Sequence, residues 1–177
     1  MDSMTRRLAV AALTLGVIGA GFAGLHGKPH VSPFGDFHAW HRVNPKPFAV
    51  SPAASALCFA PTRCVSPVGV TRTDKVAIDV YVNAAGAGAM TSGGGFPVGS
   101  VIVKEKLLGD PGRAALSTVM IKHAKGFNPK CGDWEFATLD ADGAKVTARG
   151  KLANCMACHE RKPSLDYTFK TYMPRKD

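Results

Sequence analysis

Three residues in the stretch "NCMACHERK" (154–162) have the types and spacing to do chemistry: Cys155, Cys158 and His159, in the order C-x-x-C-H. Two cysteine sulfurs so placed can add to the two vinyl groups of a haem, and the adjacent histidine is then held against the iron as its proximal ligand. Other uses of the same letters need other surroundings. A thioredoxin-type redox pair needs a βαβ unit around the motif, and none is legible here. A zinc site needs a second ligand pair at short spacing, but Cys58 and Cys64 have five residues between them and flank no histidine. A chance match in a chain with five cysteines is the bland alternative. The motif predicts one covalently attached haem c per chain, with His159 on the iron.

The sixth iron position is closed by methionine or histidine in most electron carriers and left open in sensors and enzymes. Met90, Met120, His123 and Met173 are the candidates, and each reads better as a packed or exposed side chain than as a ligand. His38 and His41, three apart around Trp40, would share a helix face and could bind a metal. Pro33, Pro45 and Pro47 resist a long helix there, so an irregular segment with exposed histidines is expected. Lys104, taken alone, reads as a strand lysine pointing at solvent, paired with Glu105 or with nothing.

The elements that must position this motif follow from pattern. Residues 1–23 have a basic start (Arg6, Arg7) and an apolar run from Leu8 to Ala23, the layout of a signal peptide. Periplasmic or other exported localisation is therefore expected, with an uncleaved N-terminal membrane anchor as the alternative. Outside the cytoplasm spare thiols tend to pair. Of Cys58, Cys64 and Cys131, the first two close the shortest loop, and a bridge from either to Cys131 stays open. Residues 24–74 are rich in Pro, His and Gly and read as an irregular N-terminal segment, with "SPAASALC" (51–58) as a short helix.

Residues 75–177 read as the haem domain. "KVAIDVYVN" alternates Val76, Ile78, Val80 and Val82 against Ala77, Asp79 and Tyr81, the period of a half-buried strand. "AAGAGAMTSGGG" is expected to be a flexible loop or, over 84–90, a weak helix. A turn at Pro97–Gly99, strands over 100–107 and within "ALSTVMIKHAKGF", and a hairpin across 134–146 follow. The chain is helical around the motif as far as Pro163. The fold class is mainly β (α+β): an antiparallel sheet with a few short helices, the haem-attachment helix lying near the C-terminus. Small electron-transfer cytochromes c are helical with an N-terminal motif, so this is a different scaffold.

On "VYVN", "FPVGSVIVKEKL", "KGFNPKCGDWEF" and "CMACH…LDYTFKTYMP", residues 75–174 resemble the cytochrome P-460 family and its relative cytochrome c′-beta. The resemblance implies a predominantly β homodimer with one c-type haem per chain. It further implies, for the hydroxylamine-oxidising members, a lysine bonded to the porphyrin; the lysine of their "VKE" strand corresponds to Lys104. Those members carry an arginine two residues before "VYV", where this chain has Ile78. They also use a distal carboxylate ahead of the "G-x-W" motif, yet no Asp or Glu stands between Pro111 and Gly132. His123 or Lys122 could handle protons instead.

The functional expectation is small nitrogen-compound redox chemistry, an oxidoreductase acting on hydroxylamine or nitric oxide. The alternatives are a five-coordinate haem protein that binds nitric oxide or another diatomic gas without turnover, and a plain electron carrier. The net charge of +9 favours an acidic redox partner protein. With no arginine-rich run and no aromatic–basic interleaving, no nucleic-acid partner is expected.

Overall fold

The computed structural model describes residues 32–50, 76–109 and 113–173. The proposed signal peptide, the 51–58 helix, Cys58 and Cys64 lie outside them. The described strands are β1 (His41–Arg42), β2 (Phe48–Val50), β3 (Val76–Val82), β4 (Val101–Leu108), β5 (Arg113–Lys122), β6 (Trp134–Leu139) and β7 (Val146–Gly150). They form one antiparallel sheet in the order β1-β3-β4-β5-β6-β7, with β2 also paired to β3. Two α-helices are described, α1 (Ala84–Ser92) and α2 (Ala153–His159). Among the described residues no helix is long and apolar enough to cross a membrane.

Side chains on successive strand residues point to opposite faces, and here both faces are covered. The inner face carries Ile78, Val80, Val82, Ile102, Met120 and Phe136, packed against α1, α2 and the C-terminal segment through Met90, Met156, Phe169 and Tyr172. The outer face carries Tyr81, Val103, Val119, Ala137 and Leu139, packed under Phe34, Phe37 and Trp40. The half-buried reading of β3 is therefore corrected. Asp79 and Tyr81 are buried as well, because the segment ahead of the sheet folds back over them. Arg42 and Asn44 bond Asp79, and Phe37 meets the Tyr81 ring edge-on. That segment also supplies the two short strands β1 and β2, which are too brief to show a period.

The glycine-rich stretch after β3 takes its helical alternative, over Ala84–Ser92 rather than 84–90, and leaves the helix at 93–95. Asn83 caps it by accepting from the Gly86 N–H at 3.1 Å, and Gly93, at φ +88°, ends it in the left-handed conformation. Gly86 has to be glycine for packing reasons: a Cβ there would stand 2.8 Å from Val82 and 3.1 Å from Ser100. The helix is thus laid close against the inner face. The second helix is shorter than expected, stopping at His159 rather than running on to Pro163. A turn and a short 3₁₀ segment, Pro163–Leu165, follow it.

Candidate haem site

Helix α2 presents Cys155, Met156 and His159 to the inner face, continuing a stripe that starts at Leu152 just before it. These positions recur at helical spacing, and Leu152, Cys155 and Met156 pack on the inner core. Cys158, on the flank, is half-buried. Cys131, Cys155 and Cys158 are not in disulfides. Cys131 is fully buried, and burial first, then the neighbouring Glu160 and Cys155, push its thiol up to about 11.

His159 is held on three sides. Its Nδ1 lies 2.6 Å from the Tyr167 carbonyl oxygen. A carbonyl can only accept, so Nδ1 carries the proton and Nε2 is left with the lone pair. Phe136 and Phe169 flank the ring at centroid distances of 5.1 and 5.0 Å. Burial pushes the imidazole pKa down to about 4; the Tyr167 carbonyl opposes this and the Lys104 cation adds to it. The ring is therefore neutral at pH 7, with its donor nitrogen oriented by a backbone acceptor. That is the state in which a histidine ligates a metal.

Lys104 acts electrostatically on His159, which places the two in one neighbourhood. Its register confirms the side of the sheet: it pairs with Val80 on β3 and Thr118 on β5, in step with the inner-face residues Ile102 and Lys106. The pairing of Lys104 with Glu105 is thus corrected, and Lys104 is half-buried on the inner side of the sheet. Glu105 is on the opposite face and bonds His38 at 3.1 Å.

The other sequence candidates are not brought to His159 as ligands. Met90 and Met120 are core residues, and Met173 packs against the same core. His123 bonds Glu135 at 2.7 Å and stacks on Phe127 at 4.1 Å. Lys122 is paired with Asp166 at 2.6 Å. His38 and His41 do not share a helix: His38 is in a 3₁₀ turn and His41 is in β1. Among the described residues no group of three or more His, Cys, Asp or Glu could hold a metal ion. What the sequence reading missed is the role of Tyr167, whose acceptor is a backbone oxygen and carries no side-chain signature.

The family model described as Cytochrome P460 matches residues 62–170, more than half of the 177-residue chain. The chain belongs to the cytochrome P460 family. Family membership implies a haem, and the donor set fits one: a neutral, oriented imidazole beside two cysteines outside any disulfide, on a helix against an apolar face. No curated protein matches the chain. In a P460-family chain built this way, Cys155, Cys158 and His159 would hold the haem, which supplies a redox-active iron and a site for a small ligand. The side chains around it determine what else can happen there. Ile78, where an arginine would stand in the hydroxylamine-oxidising members, is buried in the inner core. The strand carboxylates Asp79, Glu105 and Glu135 are committed to partners on the outer side.

Proposed function

We propose that this P460-family protein carries a single haem c bound through Cys155 and Cys158, with His159 as the proximal ligand. We take it to handle a small nitrogen compound of the nitric oxide class at the opposite iron position. The observation that carries this reading is the bond from His159 Nδ1, at the end of the C-x-x-C-H helix, to the Tyr167 carbonyl beyond it. Binding is favoured over hydroxylamine oxidation by the chemistry of the inner face. Oxidising hydroxylamine requires groups that accept protons as electrons leave. Here Ile78 is apolar and the strand carboxylates are turned to the other face. The apolar side chains of that face, Ile78 among them, suit an uncharged diatomic.

The cross-linked oxidase is the second reading, favoured by one observation: Lys104 is close enough to His159 to act on its charge. A lysine bonded to the porphyrin would distort the ring and retune the iron. The reading also takes the protein as exported and homodimeric, docking an acidic redox partner on its basic surface. Periplasmic fractionation and light scattering test the first two.

The deciding experiment uses holo-protein made with haem-attachment machinery. Haem should stay with the chain through acid–acetone extraction, and its loss would end the covalent assignment. The reduced spectrum and intact mass then separate the readings. An ordinary five-coordinate haem c spectrum that responds to nitric oxide supports binding. A strongly red-shifted band with the mass of one extra bond supports the oxidase, and in that case Lys104→Leu should return the spectrum to the ordinary form with haem still attached.

A further inference from the structure

The bond that orients His159 comes from a strained piece of chain. Asp166 and Tyr167 are consecutive non-glycine residues at φ +48° and +59°, a left-handed pair that L-residues avoid. Its own N–H groups bond the Pro163 and Lys162 carbonyls at 3.1 and 2.8 Å, and side chains add four contacts from outside the turn. The Asp166 carboxylate takes both of its oxygens to Lys122 Nζ, at 2.6 and 2.8 Å, and accepts the Phe96 N–H at 2.7 Å. The Asp166 carbonyl accepts the Trp134 indole N–H at 2.9 Å. The Lys122 and Asp166 side chains are largely enclosed, only 13% and 16% exposed, and Lys122 Nζ sits 5.0 Å over the Trp134 ring. Gly132 completes the seat, since a Cβ there would fall 2.4 Å from the Tyr167 ring.

Asn adopts this backbone as readily as Asp, so the conformation by itself does not call for a carboxylate. The charge is there for Lys122, and the next carbonyl along is the one His159 uses. We propose that Asp166 is a positioning residue for the proximal ligand. Its carboxylate, gripped by Lys122 and the Phe96 N–H, fixes the Tyr167 carbonyl and through it the orientation and donor strength of His159. The inference rests on the haem reading above. A firm acceptor on Nδ1–H makes Nε2 a stronger donor to iron, which favours the ferric state. Loosening the acceptor weakens the iron–histidine bond and favours the ferrous state.

Asp166→Asn holo-protein tests this by resonance Raman of the ferrous form and by redox titration. The iron–histidine stretching frequency should fall and the midpoint potential should rise, with haem still covalently attached. Lys122→Met should move both readouts the same way, and the double variant should shift them by less than the sum. A variant with a lower melting temperature but wild-type frequency and potential would make the clamp merely structural and overturn the proposal. If Asp166→Asn gives no folded holo-protein, Lys122→Met decides by the same two readouts. Wild-type ferrous holo-protein with no iron–histidine band would overturn the five-coordinate haem reading and this inference with it. A band that is present and does not move overturns the inference alone.

Discussion

On the outer face of the sheet, Asp79 meets Arg42 and Asn44, Glu105 meets His38, and Glu135 meets Arg149 and His123. On the inner face the same strands present Ile78, Val80, Ile102, Met120 and Phe136, with Lys104 among them and His159 packed on Phe136. One residue of offset along a strand separates these charge-paired carboxylates from the apolar side chains that pack around His159. The comparison teaches where proton-handling groups are spent. The strand carboxylates Asp79, Glu105 and Glu135 hold down the segment ahead of the sheet and the β6–β7 edge. The inner face should then govern haem and ligand, and the outer face stability alone.

The sharpest way to break that division is to remove the thioether donors. Cys155→Ser combined with Cys158→Ser should abolish covalent haem completely, read as full extraction into acid–acetone. Outer-face variants should retain it. The next largest effect is expected from Phe136→Ala. Phe136 is 2% exposed and touches the His159 ring, so truncation should cost about 3–5 kcal/mol. It should also change the haem spectrum, which denaturant titration and absorption together would detect. A spectrum unchanged by Phe136→Ala would mean that the inner face does not set the haem environment.

Asn44→Ala is the matching change on the other side. Asn44 is 1% exposed; its Oδ1 accepts the Val80 N–H, and its Nδ2 bonds the Ile78 and Lys46 carbonyls. Each buried group left without a partner should cost roughly 1–3 kcal/mol. Stability should fall in urea while the spectrum of the holo-protein stays as in wild type. A shifted spectrum would show that the two faces are coupled through β3.

How much of this was legible in advance depended on the range of the cause. The C-x-x-C-H motif, the strands around Val76–Val82 and Trp134–Leu139 and the turn at Gly99 are local signals, and the structure has them in place. The α1 helix was obscured by its glycines, one of which, Gly86, is needed for close approach to Val82 and to Ser100 across the fold. Burial of Asp79 and Tyr81 was hidden because their cover is some forty residues upstream by contact, as the Arg42 and Asn44 bonds show. In the site, Cys155, Cys158 and His159 could be named from spacing, and Lys104 only from family likeness. The Lys122–Asp166 clamp spans 44 residues, and nothing in "LDYTF" marks it.

The smallest expected effect probes the β6–β7 edge through pH. Arg149 first, then His123, hold the Glu135 carboxyl below its ordinary 4.5, against the opposing effect of burial. A carboxyl whose folded pKa is depressed stabilises the fold above the unfolded value, and that stability is lost as pH falls through the folded one. Arg149 is half exposed, so screening keeps the contribution of its pair to below about 1 kcal/mol. Wild type should therefore be modestly more stable than Glu135→Gln in urea at pH 7, and the difference should shrink below pH 4.5 and vanish in stronger acid. The haem spectrum should be the same for both proteins across that range above the onset of unfolding. A Glu135→Gln spectrum that departs from wild type at pH 7 would place this carboxylate in communication with the iron, and the outer face would then have a share in the chemistry.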